Sequence, residues 1–157
     1  MRYFLDTEFN GFGGDLISMA LIGNCDILGR RQLYLVYPES MFRYEPWVKE
    51  NVLPFVDSVP DDVTVHRPNS IRDATLIIAN FLRDDPDPVI VADWPDDIHY
   101  FCEATITGPG KMIDIPSLKF EMHRVDAYPT KVVGAIQHNA YWDALALANK
   151  LEENFNG

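Results

Sequence analysis

Residues 1–14 read MRYFLDTEFNGFGG. Tyr3 to Phe9 has the aromatic and apolar content of a strand, yet Asp6 and Glu8 stand in its middle. Side chains alternate along a strand, so both carboxylates project to one face, their Cα atoms roughly 6.6 Å apart. Buried acids without partners are costly. The run is therefore either an exposed edge strand or one built to hold a cation. Carboxylates at that spacing can share one metal ion or flank a pair about 3.5–4 Å apart.

Working outward, the Gly-rich stretch NGFGGD separates this run from a second strand pattern, LISMALIGN, and a turn containing Gly29 leads to a third, RQLYLVYP. Short glycine-containing connections favour an antiparallel meander. The periodicity then changes. EPWVKENVLPFV reads as a short helix with Pro46 near its start and Pro54 at its end. In SIRDATLIIANFLRDD, residues Ile71, Ala74, Ile78 and Phe81 recur at helical spacing behind an Asn69 or Ser70 cap. Val89 to Ala92 is a continuous apolar run, as in a strand covered on both faces. DDIHYFCEATI opens a helix with acids, and KMIDIPSLKF reads as a further strand interrupted at Pro116. NAYWDALALANKLEENF is a helix whose stripe is Ala144, Ala148, Leu151 and Phe155, widened by Leu147. This order predicts an α/β fold in one domain, residues 1–157. Its mixed central sheet has three antiparallel strands followed by alternating helix and strand, with helices on both faces.

The chain carries 24 acidic against 13 basic residues, a net charge of -11, and no Lys/Arg cluster. That argues against a non-specific duplex binder, which needs a basic footprint, and argues less against an enzyme whose carboxylates hold metal ions. No apolar run approaches the ~20 residues of a membrane span, and MRYFLD goes straight into a strand pattern with no signal-peptide core. Cys25 and Cys102 lack metal or redox spacing and read as reduced thiols of a cytoplasmic protein.

Two further acidic stretches join the first. In ADWPDDIHYF, Asp93, Asp96 and Asp97 stand where an apolar strand hands over to a helix, the end of a strand where ligands sit in open α/β sheets. Asp93 or Asp96 is expected to cap that helix; three acids exceed what a cap requires. In QHNAYWDALAL, His138 and Asp143 are five apart, about 140° of arc on a helix, so they do not share a helix face. The arrangement that brings them together has His138 in the preceding loop, Asn139 near the N-cap and Asp143 in the first turns.

D-x-E in the first strand, Asp at a mid-chain strand-to-helix junction and H-x-x-x-x-D at the last helix resemble, in that order, the DEDDh exonucleases. These belong to the DnaQ-like superfamily with its ribonuclease H-like fold. The likeness spans nearly the whole chain, and MRYFLDTEF is similar to the opening of small bacterial and phage-type 3′-to-5′ exoribonucleases. The Tyr-containing branch would place Tyr four residues before the last Asp, where this chain has Asn139. Many relatives also carry a His-Asn pair before the middle Asp, where this chain has Ala92-Asp93-Trp94. The middle ligand therefore lies among Asp93, Asp96 and Asp97; Asp97 is taken, for the apolar helix start behind it, with Asp93 second.

The resemblance implies two divalent cations, Mg²⁺ or Mn²⁺, held by Asp6, Glu8, Asp97 and Asp143, with Asp6 bridging. It implies Glu8 and His138 as the catalytic pair, His138 as general base. Phe9, Asn10, Gly11 and Phe12 would cradle the terminal nucleotide, and Trp142 is a further stacking candidate. The expected partner is the 3′ end of single-stranded nucleic acid, RNA before DNA, and relatives are often homodimers. The alternatives are an exodeoxyribonuclease of the same fold and a non-catalytic binding module.

Overall fold

In the computed structural model, described for residues 1–24, 29–40 and 42–153, the three opening strands form the expected meander. Cys25 and Phe155 lie outside the described residues. β1 (Arg2–Phe9) pairs antiparallel with β2 (Leu16–Gly23), and β2 antiparallel with β3 (Gln32–Val36). There follow α1 (Pro46–Asn51), a 3-10 turn at Leu53–Phe55, β4 (Val65–His66), α2 (Ile71–Leu82) and β5 (Val89–Ala92). The chain continues through α3 (Pro95–Thr105), β6 (Ile106–Gly108), β7 (Lys111–Met112), β8 (Lys119–Met122) and α4 (Ala140–Glu153). The main sheet has the order β4-β3-β2-β1-β5-β8, with β1–β5, β5–β8 and β3–β4 parallel. The molecule is thus α/β with a mixed central sheet, and among the described residues no helix is long and apolar enough to cross a membrane.

Helices cover both faces, and strand alternation decides which residue meets which. Tyr3, Leu5, Met19, Leu21 and Leu35 pack with Ala74, Ile78 and Leu82 of α2 and with Phe101 and Ala104 of α3. Phe4, Ala20, Ile22, Tyr34 and Val91 pack on the other side with Ala144, Leu147, Ala148 and Leu151 of α4. Each fully buried Leu, Ile or Phe contributes about 1.5–3 kcal/mol, so β1, apolar on both faces, anchors both layers. Asp6 and Glu8 continue the α4 face of β1 past the point where apolar packing stops.

Ser70 caps α2 by accepting from the Asp73 amide at 3.1 Å, as its sequence pattern predicts. Asn139 caps α4, its Oδ1 accepting from the amides of Tyr141 (3.0 Å) and Trp142 (3.4 Å) while its Nδ2 donates to the Phe55 carbonyl at 2.7 Å. That second bond pins the start of α4 to the 3-10 turn.

Two expectations need correction. KMIDIPSLKF is not one interrupted strand: Lys111–Met112 turns back at Gly110 (φ 65°) to pair with β6 in a separate two-stranded sheet, whereas Lys119–Met122 joins β5. Pro116, without an N–H, cannot carry a ladder between them. The helix expected across residues 45–56 ends at Asn51, and Pro54 sits in the 3-10 turn. β4, two residues long, carries no periodicity and exists only as a partner of β3.

The loop between β1 and β2 is held by Gly14: a Cβ there would overlap the Asn10 carbonyl oxygen, whereas at Gly13 (φ +70°) it would meet open space. The Tyr100 hydroxyl donates to the Gly14 carbonyl at 2.6 Å, tying the loop to α3. Gly13→Ala incurs only the left-handed backbone cost of about 1–2 kcal/mol. Gly14→Ala has to displace the loop itself, and denaturant titration should find it the more destabilising of the two.

Candidate metal centre

β1 and β5 run parallel with Arg2 opposite Val89 and Phe4 opposite Val91. Continuing that register by two places sets Asp93, just beyond β5, level with Asp6. This is the carboxyl end of the parallel pair, where a crevice opens. Four segments converge there, and Asp6 is the member common to two groups. Carboxylate oxygens of Asp6, Glu8 and Asp143 lie within 4.8 Å of one another, and so do those of Asp6, Asp93 and Asp97.

Each acid is aimed by its own support. Thr7, facing away from Asp6 by strand alternation, donates both its amide (3.0 Å) and its hydroxyl (2.6 Å) to Oδ1 of the buried Asp97. The register of β1 against β2 slips between Glu8 and Phe9, a bulge of the kind that re-aims side chains beside sites. Asp143, in the first turn of α4, accepts the His138 amide on Oδ2 at 2.9 Å. Asp6 has no such relief: its Oδ2 is buried and makes no hydrogen bond. Buried polar atoms are nearly always partnered, and an oxygen left open among four other carboxylates is suited to a cation.

The electrostatics agree. Burial pushes Asp6 well above the usual carboxylate range, and Asp97, Asp143, Glu8 and Asp93 push it further. Burial, then Asp143 and Asp97, raise Glu8 to about 8. Burial raises Asp97 to about 7 against the two Thr7 hydrogen bonds, and raises Asp143 to about 7 against the amides of His138 and Asn139. Asp93 is also raised, by burial, with Arg124 opposing. Without a cation the cluster keeps protons. Hard divalent cations suit an all-oxygen donor set such as this one.

His138 precedes α4 with φ 62°, a left-handed conformation uncommon for a non-glycine residue. Its ring meets Trp47 edge-on, centroids 4.9 Å apart, and burial lowers its pKa, favouring the neutral imidazole. It shares with Asp6, Glu8, Asp97 and Asp143 a cleft of about 650 Å³.

The other expected residues divide. Phe9, Gly11 and Phe12 line the cleft, Phe12 with 97% of its surface exposed. Phe9 also stacks on Tyr100, centroids 4.6 Å apart, so one of its faces is taken. Asn10 is turned away: it accepts from the Glu45 amide at 2.9 Å and donates to the Arg43 carbonyl at 3.3 Å, bracing the loop before α1. Trp142 is buried, its indole donating to the Ser58 carbonyl at 2.6 Å. Asp96 lines the cleft but accepts the Trp94 indole N–H at 2.6 Å; it belongs to neither group of three. Asp97 and Asp93 both join Asp6.

Sequence reading missed the aromatic rim of Trp47, Trp94 and Tyr128, together with Glu45 and Gln137. Trp94 was findable, since it adjoins Asp93; Trp47 and Tyr128 come from segments without a motif. The described lining contains seven acids and neither Lys nor Arg. No protein-family model matches the chain, and no curated protein matches it.

The raised carboxylates fix the sign of a pH effect. A group whose folded pKa lies above its unfolded value of about 4 contributes stability present below pH 4 and lost as pH rises to the folded pKa. In EDTA, the melting temperature should therefore fall between about pH 4 and pH 8, the span of the shifts at Glu8, Asp97 and Asp143. Asp143→Asn should flatten that fall and melt higher than the parent at pH 8, by about 2–4 °C for each kcal/mol of relieved repulsion. Thermal melts across the pH series check both.

Proposed function

We propose that this protein is a metal-dependent 3′-to-5′ exonuclease of the DEDDh kind on a ribonuclease H-like fold. It removes nucleoside 5′-monophosphates from single-stranded ends, RNA in preference to DNA. The observation that carries the reading is Asp6, half-buried with its Oδ2 buried and unpartnered, at the junction of two carboxylate groups in the cleft that also holds His138. The sheet supports it too, since an antiparallel meander extended through parallel β5 and β8 is the order the resemblance implies. The acid-lined cleft fits a phosphate substrate only when cations neutralise it.

Asp6, Glu8 and Asp143 would hold one divalent cation, and Asp6 with Asp97 and Asp93 would hold a second. When bound, the cations supply a water of lowered pKa and Lewis acidity toward the phosphate oxygens. His138 accepts the proton of the attacking water at a ring nitrogen, which its neutral state permits. The water oxygen forms the new bond to phosphorus, the bond to the 3′ oxygen of the penultimate nucleotide breaks, and that oxygen takes a proton from solvent, freeing a 5′-monophosphate. Thr7 occupies one oxygen of Asp97 and makes no bond to the other.

A 3′-labelled strand, made as RNA and as DNA of one sequence, tests this with Mn²⁺ and with EDTA. Mononucleotide release with Mn²⁺, faster from RNA and absent in EDTA, is expected. Asp6→Ala and His138→Ala should each lower kcat by about 10²-fold or more. Thr7→Val should lower activity by about 10-fold, as loss of a ligand-orienting partner does. A parent protein that releases nothing with Mn²⁺, or an Asp6→Ala variant as active as the parent, overturns the assignment.

Mn²⁺ at 100 times its dissociation constant should add about 2.7 kcal/mol to the parent and raise its melting temperature. Asp6→Asn should abolish that shift.

A further inference from the structure

The acidic cleft has one neighbour of opposite character. Ala127 and Tyr128 line both the cleft and a second recess of about 180 Å³, whose other walls include Thr130, Lys131, Asn149 and Lys150. Tyr128, 59% exposed, forms the ridge between them. We propose that this recess is the phosphate subsite for the strand leaving the cleft: Tyr128 carries the base upstream of the scissile bond, and Lys131 and Lys150 hold the next phosphate. This rests on the exonuclease reading and adds the path of the substrate.

Charge selects this direction. A polyanion on a chain of net charge -11 has to leave the metal centre along the least repulsive route. The recess beyond the glycine loop and Tyr100 carries Asp15, Glu39 and Glu103 against His99 alone. The recess beyond Tyr128 carries two lysines against Asp126. Both lysines are exposed and stand in no ion pair among the described residues.

Asn149 is already orientated. Its Oδ1 accepts from Arg30 Nη2 at 3.0 Å, which leaves its amide N–H groups as donors. Thr130 adds a hydroxyl on the facing wall. An exposed tyrosine before a cationic recess is the combination of stacking surface and electrostatic groove that single-strand binders use. Such contacts read no sequence, which suits an enzyme stepping along a strand.

The test is the double variant Lys131→Gln/Lys150→Gln, with Tyr128→Ala beside it. Two substrates are compared in Mn²⁺: a single-stranded octanucleotide and thymidine 5′-p-nitrophenyl phosphate, which has one phosphodiester and no upstream strand. For the octanucleotide, KM of the lysine variant should rise about 5–10-fold at low salt with kcat unchanged. The salt slope of log KM should fall by about 1.4, from two lost contacts at about 0.7 each on a single strand. For the chromogenic ester, kcat and KM should not move. Tyr128→Ala should likewise raise KM for the strand.

An unchanged octanucleotide KM and salt slope in the lysine variant overturns the proposal, as does an equal loss on both substrates. Anisotropy of a fluorescent octanucleotide with Ca²⁺ replacing Mn²⁺ reads the same subsite without hydrolysis. If the parent binds but cleaves neither substrate, the exonuclease reading fails, while weaker binding by the lysine variant still supports the strand path. Binding equal to the parent's refutes it.

Discussion

Asp6 is the constraint on which the rest of the site depends. It continues a strand whose preceding residues, Tyr3, Phe4 and Leu5, are fully buried on two different faces, so it cannot be moved without disturbing both layers of the core. Its carboxylate is fixed at the depth where apolar packing gives way to a crevice, with one oxygen unpartnered. Removing an isolated charge from water is costly, and the neighbours here are four more acids rather than a base. Protons relieve that arrangement in part. A cation relieves it without neutralising the ligands.

The supports around Asp6 show how the fold holds like charges together. Thr7 faces the opposite side of β1 and reaches Asp97 through two donors, so one strand serves the site with both of its faces. Asn139 caps α4 and also bonds the Phe55 carbonyl, and the capped helix sets Asp143 where the His138 amide meets it. The left-handed backbone at His138 is a local cost of the kind that accumulates at functional sites. Hydrogen bonds from Thr7 and the His138 amide thus offset part of the repulsion within the cluster, while the His138 backbone adds a cost of its own.

The cleft combines an acidic floor with an aromatic rim. Phe12 and Tyr128 stand exposed on its edge, Trp47 contacts His138, and the Arg124 guanidinium lies 4.4 Å over the Trp94 ring. Large exposed aromatics gathered on one concavity are better explained by recognition than by folding.

The sequence by itself determined what depends on local periodicity. Alternation placed Asp6 and Glu8 on one face, helical spacing gave the buried stripe of α4, and five-residue spacing required His138 to precede the helix that bears Asp143. Only the tertiary structure decided which middle acids reach Asp6. Asp93 arrives through the register of two parallel strands more than eighty residues apart in sequence, Asp97 is drawn in by Thr7, and Asp96 is taken by a neighbouring indole. It also turned Asn10 inward to brace a loop, buried Trp142 and assembled the rim from Trp47, Trp94 and Tyr128. Strand and helix periods act over a few residues and can be read from the chain; convergence is set by register and by loop paths, which are fixed only when distant segments pack.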